Sequence, residues 1–119
     1  MHIYGYADMI KAEAFFKALS DGTRLRLLLL LQDEESLCVC ELVHALDTHQ
    51  PLVSRHLAQL RDMGVVEDER RGQWVYYRLS PGLPDWAEAV LHAAAEAESL
   101  RPFRRRLHSM PNRPIASCS

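Results

Sequence analysis

Cysteine is scarce in this chain of 119 residues, which has three, and long apolar runs are missing. The longest is Leu27 to Leu31, far short of the roughly 20 residues that span a bilayer, so no membrane segment is expected. Met1 to Lys17 has neither a basic start followed by an apolar stretch nor a small-residue cleavage site. No secretory signal is therefore expected, and the expected location is cytoplasmic. In that reducing compartment three cysteines read as free thiols, metal ligands or redox sensors rather than as a disulfide framework. Cys-x-x-Cys spacing is absent, as is a βαβ pattern, so a thiol oxidoreductase is disfavoured and an enzyme is not expected. Charge of one sign is also lacking, since the net charge is −2. That balance alone does not advertise a nucleic-acid binder. The arginines are nevertheless clustered, with Arg55, Arg61, Arg70, Arg71 and Arg78 in one stretch and Arg101, Arg104, Arg105 and Arg106 in another, which leaves local patches for phosphate.

What is present is ordinary for a globular protein, with 48% hydrophobic and 25% charged residues. The length fits one domain small enough to gain from oligomerisation. Apolar residues at helical spacing predict a helix over Asp8 to Leu19 and a second over Thr23 to Gln32, capped by Ser20 or Asp21. The second has too many leucines for one face and is expected at the centre of the core. Ser36 is the expected cap of a short third helix with the stripe Val39, Leu42, Val43 and Leu46. After a break at Asp47 to His49, Thr48 is the expected cap of a fourth helix that turns Val53, Leu57, Leu60 and Met63 inward and ends at Gly64. Val65 to Glu69 and Gln73 to Leu79 read as a β-hairpin with a basic tip. Leu83 to about Leu107 reads as one long helix that Pro102 kinks or ends, and that offers a dimer surface. The expected architecture is mainly α, in the order α-α-α-α-β-β-α, a winged helix-turn-helix homodimeric through its terminal helices. Residues 1–107 are expected to form the DNA-binding and dimerisation domain, and 108–119 a flexible C-terminal tail.

Cys38 and Cys40, two of the three cysteines, are separated only by Val39. Two thiolates select soft ions over oxygen-seeking ones. On a regular helix positions i and i+2 point about 200° apart, so holding one ion there requires local unwinding, and chelation competes with helix formation. A helix N-terminus is also expected to lower the thiol pKa.

A short helix, a tight turn, a helix with polar residues outward and a basic hairpin make up a winged helix-turn-helix. Gln50, Ser54, Arg55, His56 and Gln59 lie near the start and outer face of the second helix, which enters the major groove in this motif. Arg55 is placed for guanine or for phosphate. His56, between Val53 and Leu57, is equally consistent with a half-buried structural role. Arg70, Arg71 and Gln73 at the hairpin tip are placed for phosphate or the minor groove, or form a charged turn that protects an edge.

The segments Leu19-Ser20-Asp21-Gly22-Thr23-Arg24-Leu25-Arg26, Leu37-Cys38-Val39-Cys40-Glu41-Leu42 and Gln50-Pro51-Leu52-Val53-Ser54-Arg55-His56-Leu57, with Tyr76-Tyr77-Arg78-Leu79, resemble the ArsR/SmtB family of metalloregulatory repressors over about residues 8 to 100. Within it the Cys-Val-Cys segment resembles the arsenite- and antimonite-sensing site. That implies a homodimer with no permanently bound cofactor that releases double-stranded operator DNA when As(III) or Sb(III) binds Cys38 and Cys40. Val43 stands where some arsenic sensors carry a third cysteine, leaving Cys118 or an external thiol such as glutathione for the third position. Met1 to Ile10 has no cysteine, unlike the cadmium and lead sensors, and Asp85, His92 and Glu96 do not reproduce the zinc sensors' spacing. A thiol redox-sensing repressor, or a sensor of another soft metal, is the alternative.

Overall fold

Leu27 to Leu31 are all buried, which requires a helix covered on every side. The computed structural model describes residues 10–114 and supplies that cover. Helix α1 (Ala12–Leu19) turns Phe15 and Ala18 inward. It begins later than the pattern suggested, with Lys11 as its N-cap; Asp8 and Met9 lie outside the described residues. Asp21 starts the central helix α2 (Gly22–Glu34), its carboxylate accepting the Arg24 N–H at 3.0 Å.

The chain leaves α2 abruptly. Glu35 adopts φ 72° and ψ −55°, and the Ser36 N–H donates to the Glu34 carbonyl at 2.8 Å. This is a γ-turn of positive φ, the rare and strained form. It delivers a strand, β1 (Leu37–Cys38), which the sequence pattern did not reveal. Cys38, rather than Ser36, is then the N-cap of helix α3 (Val39–Leu46). Asp47 in the left-handed conformation closes α3, the Asp47 N–H donating to the His44 carbonyl and the Thr48 N–H to that of Val43. This paired arrangement satisfies two carbonyls that a helix end leaves open. Helix α4 (Gln50–Asp62) follows with His49, not Thr48, as its N-cap, and it buries Val53, Leu57 and Leu60. Gly64 at φ 82° ends it by the same device.

Strands β2 (Val66–Arg71) and β3 (Trp74–Leu79) pair antiparallel, Arg71 facing Trp74 across a two-residue turn. Positive φ at Gly72 but not at Gln73 fits the turn whose twist matches a hairpin. The sheet order is β1-β3-β2, with Leu37 opposite Tyr77 and Cys38 opposite Tyr76. The expected long terminal helix is two helices, α5 (Asp85–Ala97) and α6 (Arg101–His108). Glu98 goes extended at φ −107° and ψ 126°, and Pro102 falls in the first turn of α6, where a missing N–H is harmless. Proline therefore starts the last helix instead of ending the previous one. The fold is mainly α, a winged helix-turn-helix of α3 and α4 with a hairpin wing, as expected. Its order gains one strand and one helix.

The strain at Glu35 is testable. Glycine takes positive φ without a Cβ penalty, so Glu35→Gly is expected to raise unfolding free energy by about 1 kcal/mol despite glycine's larger unfolded-state entropy. A denaturant titration against the parent chain measures it, and an unchanged or lower midpoint would show that the turn is unstrained.

Candidate metal centre and nucleic-acid interface

Because Cys38 precedes α3 with extended dihedrals, φ −81° and ψ 164°, its side chain is not held to helical spacing. The Cys38 and Cys40 sulfurs lie 2.6 Å apart, longer than the roughly 2.05 Å of a disulfide bond, and both cysteines are free. The expected conflict between chelation and helix formation is thus resolved by the strand-to-helix junction, and no unwinding is needed to bring two soft donors together. Among the described residues no third Cys, His, Asp or Glu completes a metal-binding group. Cys118 lies outside the described residues.

Cys38 is buried and Cys40 half-buried. Burial pushes the Cys38 thiol pKa well above its ordinary value and the hydrogen bond with Cys40 adds to this; the Glu41 N–H pulls the other way, more strongly than the Glu41 carboxylate's charge pushes up. The expected lowering by the helix N-terminus is overturned at Cys38, because removal from water outweighs a partial charge. Any ion captured here must displace a proton.

Glu41 is the residue that sequence reasoning missed. It is 2% exposed, and its Oε1 accepts the Cys38 N–H at 2.8 Å. The Cys38 sulfur accepts the Glu41 N–H in return, a capping box with sulfur in the usual hydroxyl position. The other carboxylate oxygen accepts from Arg113 Nε. Burial works against the Arg113 charge, but Glu41 and Glu34 outweigh it and raise its pKa. Tyr76, opposite Cys38 in the sheet, is also held above its usual pKa, first by burial and then by the sulfur and carboxylate beside it. Spacing offered one signal for Glu41: an acidic residue three positions after an N-cap is half of a capping box.

On α4, Gln50 and Arg55 are exposed and Ser54 half-buried. His56 is 8% exposed, its Nδ1 3.3 Å from an Arg24 Nη and its Nε2 3.8 Å from Asp21. Gln59 is exposed, but its Oε1 accepts from the same Arg24 nitrogen at 3.3 Å. Arg24 further donates to the Ala18 carbonyl at 2.9 Å. Arg24 is a second missed residue, a bracket tying α4 to the junction of α1 and α2.

At the wing tip Arg70 and Gln73 are exposed. Arg71 folds back, 2.9 Å from Glu69 and 4.5 Å above the Tyr76 ring. Arg78 pairs with Glu67 at 2.7 Å and Arg61 with Asp68 at 3.2 Å. The wing neutralises much of its own charge and leaves Arg70 most available. Away from this face, Phe16 and Trp86 are 52% and 38% exposed on α1 and α5, with Trp86 edge-on to the buried Phe15 at 5.3 Å.

Residues 21–68 match the model of a family described as bacterial regulatory protein, arsR family. The chain is 54% identical over 109 residues to the arsenic resistance transcriptional regulator ArsR1 of Pseudomonas putida, covering 90% of this chain and 85% of that protein. It is 48% identical over 94 residues to the arsenical resistance operon repressor of Escherichia coli, covering 77% and 80%. Among solved structures, HlyU from Vibrio cholerae aligns with a TM-score of 0.66 at 32% identity, over 76% of this chain and 94% of that one. The AntR antimony-specific transcriptional repressor aligns at 0.58 and 32%, over 76% and 87%. The homodimeric winged helix-turn-helix DNA-binding domain of a possible ArsR-family regulator from Mycobacterium bovis aligns at 0.58 and 26%, over 70% and 73%.

The bracket behind α4 yields a pH-dependent expectation. The Arg24 N–H holds the Asp21 pKa below its ordinary value, burial opposes this, and His56 adds to it. A carboxylate depressed on folding contributes stability above about pH 3.9 and loses it as pH falls through the folded value. Asp21→Ala is expected to cost about 1 kcal/mol at pH 7, a difference that narrows as the pH is lowered to about 3. Urea midpoints of parent and variant at the two pH values measure it; an equal gap at both would count against the cap.

Proposed function

The chain belongs to the arsR family of bacterial regulatory proteins, and from that premise we propose that it is an arsenic-responsive repressor. It binds operator DNA as a homodimer and lets go when As(III) or Sb(III) is captured by Cys38 and Cys40. Its role is regulatory, not enzymatic. No helix among the described residues is long and apolar enough to cross a membrane, and the working location is the cytoplasm, with the DNA. The observation that carries the reading is the pair of free sulfurs 2.6 Å apart at the entrance to the first helix of the helix-turn-helix.

In this reading Gln50, Ser54 and Arg55 enter the major groove. His56 and Gln59 act from behind through Arg24, with Gln59 at the edge of the contact. Arg70 and Gln73 reach the backbone or minor groove, and Arg71 joins them only by leaving Glu69. Each sulfur that replaces a hydroxyl of arsenous acid passes its proton to the departing hydroxyl, which leaves as water. Drawing Cys38 and Cys40 onto one ion acts on two elements at once. Cys38 is paired with the wing strand at Tyr76, and it caps α3, which packs on α4. A shift at this junction re-aims wing and reading helix together, so a dimer loses the spacing of its two reading helices. Couplings of about 1 to 3 kcal/mol change affinity roughly 5- to 150-fold. Cys118 supplies the third sulfur, or an external thiol such as glutathione does. Cys118 lies five residues beyond Arg113, at most about 18 Å of chain, and Arg113 is anchored beside the pair. Dimerisation through α1 and α5 covers Phe16 and Trp86, apolar surface that a monomer exposes at a cost.

Two experiments test this. Cys38→Ser and Cys40→Ser are expected to bind operator like the parent yet fail to release it with arsenite under anaerobic conditions, where thiol oxidation is excluded. Release persisting in both variants would remove the pair as the site. Arg55→Ala is expected to lower operator affinity by about 1–3 kcal/mol if Arg55 reads a base, or to lessen the slope of log K against log salt by about 0.9 if it grips phosphate. A variant unchanged in affinity and slope would place Arg55 off the DNA.

A further inference from the structure

The C-terminal stretch brackets helix α3 at both ends. Arg106 donates from Nε to the Ala45 carbonyl in the last turn of α3 at 2.9 Å, and Arg113 binds Glu41 in the first turn. The route between them is built. Helix α6 stops at His108, and Pro111 and Asn112 form a turn in which Asn112 takes φ 56°, a conformation asparagine tolerates better than most residues. The turn folds Arg113 back over the start of α3, where it also approaches Glu34 at 3.6 Å. Of the acidic side chains among the described residues, Glu41 alone is buried. A buried carboxylate is costly unless charge and hydrogen bonds satisfy it. Here two groups do so: Arg113 on one oxygen and the Cys38 N–H on the other.

We propose that Arg113 is a positioning residue of the thiol pair: it holds the Glu41 carboxylate on the Cys38 amide, and thereby holds the Cys38 sulfur against Cys40. This deepens the reading of the pair as the inducer site and rests on it. Arg113 touches neither sulfur nor inducer. Without it, Glu41 turns toward other donors or water, the Cys38 amide loses its acceptor, and the rotamer that brings the two sulfurs together is no longer selected. The segment that looks like a featureless tail in sequence is thus part of the sensor, independently of Cys118.

The test uses the full chain carrying Cys118→Ser, so that loss of a tail sulfur cannot mimic loss of the arginine. Arg113→Ala is expected to raise the arsenite concentration for half-release of operator about 10- to 100-fold, the usual loss when the partner that orients a metal ligand is removed. Operator affinity without arsenite is expected to stay within about twofold of the reference, a change worth less than half a kcal/mol. Arg113→Lys, which keeps the charge and one donor, is expected to recover most of the response. The ultraviolet charge-transfer band of the sulfur–arsenic bonds, titrated with arsenite in the absence of DNA, is expected to shift to higher concentration by the same factor. Unchanged half-release in Arg113→Ala overturns the proposal. So does an equal loss of operator affinity without arsenite alongside an unshifted band, which marks a merely structural strap. If Cys38→Ser in the same series still releases DNA, the inducer site itself is misplaced; if it does not, and Arg113→Ala behaves like the reference, only the present inference falls.

Discussion

The carboxylate of Glu41 is the point on which this architecture turns. A charged group in the interior must be paired and hydrogen-bonded, and among the described residues its two partners come from separate places. Cys38 offers its amide where a strand becomes a helix, Arg113 arrives from beyond the last helix, and Glu34 shares that arginine from the end of α2. Satisfying one carboxylate therefore closes the C-terminal stretch onto α3 and fixes how α3 begins. The thiol pair sits at the same junction. A cysteine caps the helix with its sulfur, so its neighbour two positions on comes within 2.6 Å without breaking a helical hydrogen bond.

The reading helix is braced from the opposite side by an arginine of a different kind. Arg24 spans the α1–α2 junction and α4 through the Ala18 carbonyl, His56 and Gln59, so α4 is held at its polar inner edge as well as by Val53, Leu57 and Leu60. Holding the scaffold rigid while leaving Gln50, Ser54 and Arg55 outward suits direct readout, which depends on the placement of a few side chains. The wing adds little net charge, because Glu67, Asp68 and Glu69 sit among its arginines and pair with Arg78, Arg61 and Arg71. A chain of net charge −2 thus presents positive charge locally, where two oppositely charged neighbours have not already met.

Much of the fold was legible in residue order because its signals are local. The leucines of α2 excluded a surface position, Gly64 and Gly72 marked a helix end and a turn, and the alternation of Trp74 to Leu79 marked a strand. The misses share a cause. A strand as short as Leu37–Cys38 has no periodicity to detect and exists only because Tyr76 and Tyr77 pair with it. Proline is the familiar breaker, which points to Pro102, whereas the chain breaks at Glu98 and buries Leu100 and Leu107 beyond it. A hydroxyl is the usual cap, which points to Ser36 and Thr48, whereas the caps are Cys38 and His49, and neither belongs to that short list.

Residue order by itself determined that Cys38 and Cys40 are a soft-donor pair, that they stand at the front of a helix, and that this helix precedes a polar-faced one and a hairpin. Ligand chemistry and hydrophobic period need no third dimension. Only the tertiary structure decided that the two sulfurs face each other, that burial and the hydrogen bond with Cys40 keep the Cys38 thiol protonated to higher pH, and that Arg113 reaches Glu41 from 72 residues away. These outcomes depend on desolvation and on partners brought together by folding, and a one-dimensional pattern carries neither.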